Sequence, residues 1–209
     1  LRILGIDPGL TRCGIGVVDV DETRRATLVH VGVARSDKNL ATHFRLRSIA
    51  DEIDRALERF EPEVVAIERV FAQENLQSVT TTMQVMGAAM VCVGRAGLPL
   101  AIHTPSEVKA AITGSGVAGK AQVQHMVARV LKLEKPPKPA DAADALAIAI
   151  CHGWRGNGLQ GASADGQFNV TLSGGVRTKQ NLTPAQQQWA QALANSRQKG
   201  AVDPRLRRH

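Results

Sequence analysis

Tyrosine is absent from this 209-residue chain and aromatic residues make up only 3% of it. A core here must be packed from Val, Ile, Leu, Ala and Met, because the large rings that fill many interiors are missing. No run of about 18 apolar residues occurs, which excludes a membrane-spanning helix. The three cysteines, Cys13, Cys92 and Cys151, are odd in number and fit no metal-ligand spacing. They read as reduced thiols of a cytoplasmic protein. The opening Leu1-Arg2-Ile3-Leu4-Gly5-Ile6 has no leader-like pattern and leads straight into a strand. No internal repeat is evident.

What is abundant is positive charge. The formal net charge is +7, which suggests a polyanionic partner. Its distribution matters more than its size. Residues 170–209 hold seven Lys or Arg against one acid, Asp203, so residues 1–169 are close to neutral. A nucleic-acid groove on that part must come from how charges are arranged, while the tail adds salt-sensitive, sequence-independent affinity.

Three short strands are expected first, at residues 2–7, 14–19 and 27–34, joined tightly as an antiparallel meander. A helix follows, with Leu40, Phe44, Ile49, Ile53, Leu57 and Phe60 on one stripe and Pro62 as its stop. Val64-Val65-Ala66-Ile67-Glu68 is a continuous apolar run of the kind a buried parallel strand carries. A second helix is expected over residues 76–95 and a fifth strand over 98–103. Thr104-Pro105-Ser106-Glu107 has the form of a capping box with Pro at the first helical position. A helix carrying Val123, Met126, Val127, Val130 and Leu131 follows a Gly-rich loop. The last core helix, 140–152, is almost wholly apolar apart from two aspartates. The order β-β-β-α-β-α-β-α-α-α describes a mixed five-stranded sheet flanked by helices. Residues 1–152 form this domain. Residues 153–209 are expected to be a Gly-rich linker and a basic extension, with one short helix starting at Thr183-Pro184.

Four carboxylates stand out against this apolar background. Asp7 ends one strand in an Asp-Pro-Gly turn, and Glu68 ends another. Asp141 and Asp144 open a helix, where carboxylates also serve the helix dipole. Each has an ordinary explanation alone: a turn, a strand end, a cap. Together those explanations become strained. Asp141 and Asp144 share one helix face by their spacing of three, and the rest of that helix is apolar. Carboxylates converging beside a core repel one another unless something pairs them. A hard divalent cation does so, and without a His or Cys pattern Mg²⁺ or Mn²⁺ fits better than Zn²⁺. Two such ions about 4 Å apart can activate water and stabilise a leaving oxygen in phosphodiester hydrolysis.

The blocks Gly5-Ile6-Asp7-Pro8-Gly9, Ala66-Ile67-Glu68-Arg69-Val70-Phe71, Lys120-Ala121-Gln122-Val123-Gln124-His125-Met126-Val127 and Ala140-Asp141-Ala142-Ala143-Asp144-Ala145-Leu146-Ala147-Ile148-Ala149 occur in this order. They resemble the RuvC family of Holliday-junction resolvases over residues 1–152. That resemblance implies a ribonuclease-H-like fold and a homodimer that makes paired symmetric nicks across a four-way DNA junction with Mg²⁺ or Mn²⁺, in recombination and repair. It also implies a branch-migration motor of the RuvA–RuvB type as partner. Asp7, Glu68, Asp141 and Asp144 match the family's metal-binding catalytic carboxylates. Phe71 matches an aromatic used at the junction, where a base stack is worth about 1–3 kcal/mol. Lys109 and Lys120 match its basic active-site positions. Lys120 also carries its own signal, because a cation in the first turn of a helix opposes the dipole and a bound phosphate reverses that.

Two departures stand beside the match. Many relatives carry Gly-Gln-Ala-Arg-Gly where this chain has Met83-Gln84-Val85-Met86-Gly87, so a DNA contact by that arginine does not transfer. The segment beyond residue 153 is longer than the family's usual short tail. The second helix adds a stripe of Leu76, Val79, Met83, Met86, Met90 and Val93, spaced as a seam shared by two helices and expected at a dimer contact. Three other readings share parts of this pattern: a YqgF-type nuclease with the same core, a sugar-kinase or actin-like ATPase, and a junction-binding protein without activity. The ATPase needs a second phosphate hairpin and a second large domain, and four intact carboxylates speak against the last.

Overall fold

The structure is a computed structural model that describes residues 1–69 and 76–155. Its ten elements fall in the expected order. The sheet comprises β1 (Arg2–Asp7), β2 (Arg12–Val20), β3 (Ala26–Arg35), β4 (Val64–Glu68) and β5 (Leu100–His103). Helices α1 (Thr42–Phe60), α2 (Leu76–Arg95), α3 (Pro105–Thr113), α4 (Lys120–Val130) and α5 (Ala140–Arg155) flank it. Strand order is β3-β2-β1-β4-β5. β1, β2 and β3 pair antiparallel, whereas β4 runs parallel to both β1 and β5.

The two-residue period of a strand sorts side chains between the two faces. Leu4 and Ile6 of β1, Val65 and Ile67 of β4, and Ile15 and Val17 of β2 pack with Ile49, Ile53 and Leu57 of α1 and with Val85, Ala89, Cys92 and Val93 of α2. Ile3, Val64 and Ala66 belong to the opposite cluster, with Val108 and Ile112 of α3, Val123 and Val127 of α4, and Leu146, Ile148 and Ile150 of α5. By the same alternation Asp7 and Glu68 project on the α5 side. Their adjacent parallel strands hold them side by side, since Ile6 is in register with Ile67.

Helix α5 lies unusually close to the sheet because the strands beneath it lack side chains. A methyl group added at Gly5 would overlap the Ala145 carbonyl oxygen, and one at Gly14 would overlap that of Asp141. Only glycine permits this approach.

Several expectations shift in detail. β2 and β3 are longer than expected and β5 begins at Leu100 rather than at residue 98. Leu40 precedes α1, and Phe44 is 51% exposed rather than part of the buried stripe. At about 100° per residue Phe44 sits well off the line through Ile49 and Ile53, and Leu46 takes its place against the core. The α2 stripe divides: Val79 and Val93 are buried, whereas Met83 is 59% and Met90 41% exposed. The buried face of α2 is rotated toward Val85, Ala89 and Cys92, so the methionines are not one continuous core seam.

α5 also continues beyond the expected boundary at residue 152. Its glycine, Gly153, sits where a Cβ would come within 2.6 Å of Val20 Cγ2. Trp154 Nε1 then donates to the Arg24 carbonyl at 2.7 Å, and Arg155 pairs with Glu107 at 2.7 Å. A glycine that reads as a linker is here a packing residue. The linker, the basic tail and the helix expected at residue 183 lie outside the described residues.

Candidate active site

β1 and β4 both end at the same edge of the sheet, and each ends on a carboxylate. The amino-terminal turns of α5 cross that edge and add two more. Carboxylate oxygens of Asp7, Asp141 and Asp144 lie within 4.8 Å of one another. Glu68 stands outside this tight group but feels it, because the charge of Asp144 raises its carboxyl. All four are part-buried.

This crowding has an electrostatic cost that appears in the protonation. Asp7 is pushed up from an ordinary 3.8 to about 7, by burial first and then by the charges of Asp144, Glu68 and Asp141, with Lys120 pulling the other way. Glu68 is likewise pushed up to about 7, by burial and then by Asp144, against Lys109 and Lys120. Like charges held this close favour protonation of some members.

Two basic side chains enter the group. Lys120 Nζ, in the first turn of α4, reaches Asp144 Oδ2 at 2.6 Å. This pairing answers the unfavourable position of a lysine at the positive end of a helix that has no side-chain cap. Arg12 Nε, at the start of β2, lies 2.9 Å from Asp141 Oδ2. That contact is not aligned as a hydrogen bond, and Asp141 Oδ2 is a buried oxygen that accepts none.

Lys109 is carried by α3, whose start is set by the expected capping box. The Thr104 N–H donates to Glu107 Oε2 at 2.8 Å, and the Glu107 N–H donates to Thr104 Oγ1 at 3.2 Å. Behind Glu68, His103 is its register neighbour on β5. His103 Nε2 lies 3.1 Å from His152 Nδ1. Burial and then the charge of His103 push His152 down to about 4, and burial lowers His103 as well.

Three of the four sequence-selected carboxylates therefore converge tightly, with Glu68 beside them and Lys109 and Lys120 at the rim. Phe71 lies outside the described residues. Sequence reading missed Arg12 and the glycines under α5. A signal for the glycines existed, since Gly5, Gly14 and Gly16 all fall on strands facing the Ala-rich helix.

The donor set suits a hard divalent cation. It is all oxygen, it is anionic, and it includes an orphaned buried carboxylate oxygen that such an ion would satisfy. A five-stranded sheet of this order, with carboxylates on neighbouring parallel strand ends and on a helix laid across them, defines the ribonuclease-H-like class of nuclease fold.

Comparison with known proteins narrows the class. Residues 3–152 match the family described as crossover junction endodeoxyribonuclease RuvC. The protein of that name from Leifsonia xyli subsp. xyli is 54% identical over 208 residues, covering 100% of this chain and 99% of its own. The one from Paenarthrobacter aurescens is 51% identical over 200 residues, covering 95% and 98%. A structure of T. thermophilus RuvC in complex with Holliday junction substrate is 35% identical, with a TM-score of 0.71, and the match covers 74% of this chain and 94% of that one. The chain belongs to the RuvC family of crossover junction endodeoxyribonucleases. The match to the Leifsonia relative includes the segment beyond residue 153.

Proposed function

We propose that the protein resolves four-way (Holliday) junctions by paired symmetric nicks, hydrolysing phosphodiester bonds at the carboxylate cluster during recombination and repair. The observation that carries this reading is the convergence of Asp7, Asp141 and Asp144 within 4.8 Å, where their mutual repulsion calls for a multivalent cation. Asp7, Glu68, Asp141 and Asp144 hold two Mg²⁺ ions, with Mn²⁺ able to replace them. When bound, such ions supply an activated water and neutralise charge on the leaving oxygen. The chain's own contribution is to hold the oxygens in place through two strand ends and one rigid helix. Lys109 and Lys120 bring positive charge to the scissile phosphate as its charge grows. The products carry 5′-phosphate and 3′-hydroxyl ends.

A junction presents two strands to be cut, and a homodimer presents two such sites. The exposed residues Met83, Gly87, Met90, Val91 and Gly94 on α2 support that assembly. Their spacing makes one stripe on the helix side away from the core, and apolar stripes of this kind are partner surfaces. Phe71, just beyond β4, stacks on an unpaired base at the crossover. A branch-migration motor of the RuvA–RuvB type delivers the junction. The setting is the cytoplasm, in keeping with three buried free thiols. No helix among the described residues is long and apolar enough to cross a membrane. Residues 153–209 serve as a linker and a basic extension that adds salt-sensitive DNA affinity.

The test is cleavage of a synthetic mobile four-way junction beside linear duplex, with Mg²⁺, Mn²⁺ or EDTA. Paired nicks confined to the junction and to the metal-containing reactions are expected. Equal cutting of linear duplex, or cutting in EDTA, would contradict the reading.

A further inference from the structure

Two of the arginine–aspartate pairs among the described residues differ in character. Arg2 grips Asp19 through two aligned hydrogen bonds, Nε to Oδ1 at 2.8 Å and Nη2 to Oδ2 at 3.0 Å. That fork is how a guanidinium makes its strong contacts. Arg12 approaches Asp141 as closely, 2.9 Å from Nε to Oδ2, but the carboxylate oxygen accepts no hydrogen bond. The two charges touch without locking together.

Position adds a second peculiarity. Arg12 stands directly opposite Arg35 in the β2–β3 ladder, and like charges across a strand pair are destabilising. Arg45, nearby, is held by Ser36 Oγ at 3.0 Å and Thr11 Oγ1 at 2.9 Å. The Arg12 side chain is 52% exposed while Asp141 is 21% exposed. A half-exposed cation therefore touches a carboxylate of the cluster without hydrogen-bonding it, and a second arginine stands opposite it across the strand pair.

We propose that Arg12 is a displaceable counter-ion: it screens Asp141 in the DNA-free enzyme, yields that oxygen to a divalent cation, and moves with Arg35 onto a phosphate of the incoming DNA. This rests on the reading of the carboxylates as cation ligands. Its consequence is coupling. Metal and DNA then favour each other's binding, because each removes what holds Arg12 in the other's absence. The DNA-free enzyme holds its divalent cation weakly, and loading is completed on the substrate. Arg12 is thus a positioning residue, and its effect is readable without any cleavage.

The experiment is a Mn²⁺ titration of the DNA-free full chain, following the electron paramagnetic resonance signal of the free aqueous ion. Wild type, Arg12→Gln, Arg12→Lys, Asp7→Asn and Asp141→Asn are compared. Removing a competing charge at this partly screened site should tighten Mn²⁺ binding about three- to tenfold in Arg12→Gln. Arg12→Lys, which keeps the charge, should stay near wild type. On a phosphorothioate junction in Mn²⁺, Arg12→Gln should lower the salt dependence of binding by about one phosphate contact. Unchanged Mn²⁺ affinity in Arg12→Gln, beside weakened affinity in Asp141→Asn, overturns the counter-ion role and leaves the metal site standing. Arg12→Lys behaving like Arg12→Gln also overturns it, because charge is then not the cause. Should Asp7→Asn and Asp141→Asn both bind Mn²⁺ like wild type, the ligand reading itself falls and takes the counter-ion with it.

Discussion

The two faces of the sheet differ most beneath the first turns of α5. On the α1–α2 side the strands present Leu4, Ile6, Ile15, Val17, Val65 and Ile67 to equally large aliphatic partners. On the α5 side they present Gly5, Gly14 and Gly16 to a helix whose contacting residues include Ala145 and Ala149. Large side chains remove much apolar surface from water and supply stability. Small ones let backbones approach, and close approach fixes where the first turn of α5 points its carboxylates. Both faces bury an apolar core, but only the α5 face, over its glycines, also holds four like charges together.

The comparison can be broken most sharply at the cluster. Asp7→Asn should reduce junction cleavage about 10³-fold or more while leaving junction binding close to wild type, checked by gel shift beside a cleavage assay. Next comes the bed of α5. Gly14→Ala must push the helix off the sheet, since its methyl would meet the Asp141 backbone. A displacement of that kind should cost about 10²-fold in cleavage and about 1–3 kcal/mol in stability, measured by single-turnover kinetics and urea unfolding. The opposite face should give the opposite pattern. Ile53→Ala, at a fully buried position on α1, should lose about 2–5 kcal/mol, with cleavage by the folded protein near wild type at low temperature. If Ile53→Ala instead abolished cleavage while leaving stability intact, the division of labour between the faces would be wrong.

Smaller effects sharpen it further. Asp7 and Glu68 hold their protons to about pH 7 in the metal-free fold, whereas free carboxyls release them near 3.8 and 4.5. The folded state therefore binds more protons than the unfolded one between those limits. Stability of the EDTA-treated protein should fall as pH rises from about 4 to about 7 and level off above. Added Mg²⁺ should raise the melting temperature at pH 8 and have little effect at pH 5, and Asp7→Asn should flatten the pH profile. The smallest change concerns the support of Lys109. Thr104→Ala removes one half of the capping box on α3 and should cost about 1 kcal/mol, read by thermal unfolding.

Much of this was legible in the sequence, for identifiable reasons. Val64–Glu68 and Leu76–Arg95 have the bounds expected of them, because a pure apolar run and a capped periodic segment are locally determined. The capping box at Thr104 is equally local, since both of its hydrogen bonds join residues three apart. Asp7, Asp141 and Asp144 were selected because strand ends and helix starts in an apolar setting are costly places for charge. Other features depend on partners distant in the chain. The pairing of Arg12 with Asp141 joins residues far apart in sequence, and nothing near Arg12 announces it. Gly153 reads as a linker until its neighbours Val20 and Ile3 are known. Phe44 looks like a core residue because hydrophobicity was read without the exact helical phase, which the sheet beneath α1 sets.

The most direct measurement is anomalous X-ray diffraction from crystals of the protein bound to an uncleavable junction and soaked in Mn²⁺. Manganese peaks between Asp7, Asp141 and Asp144, with Glu68 turned toward them, are the expected result. A saturated crystal with no manganese at those carboxylates, or with the ion elsewhere on the protein and DNA cut there, would contradict the central claim.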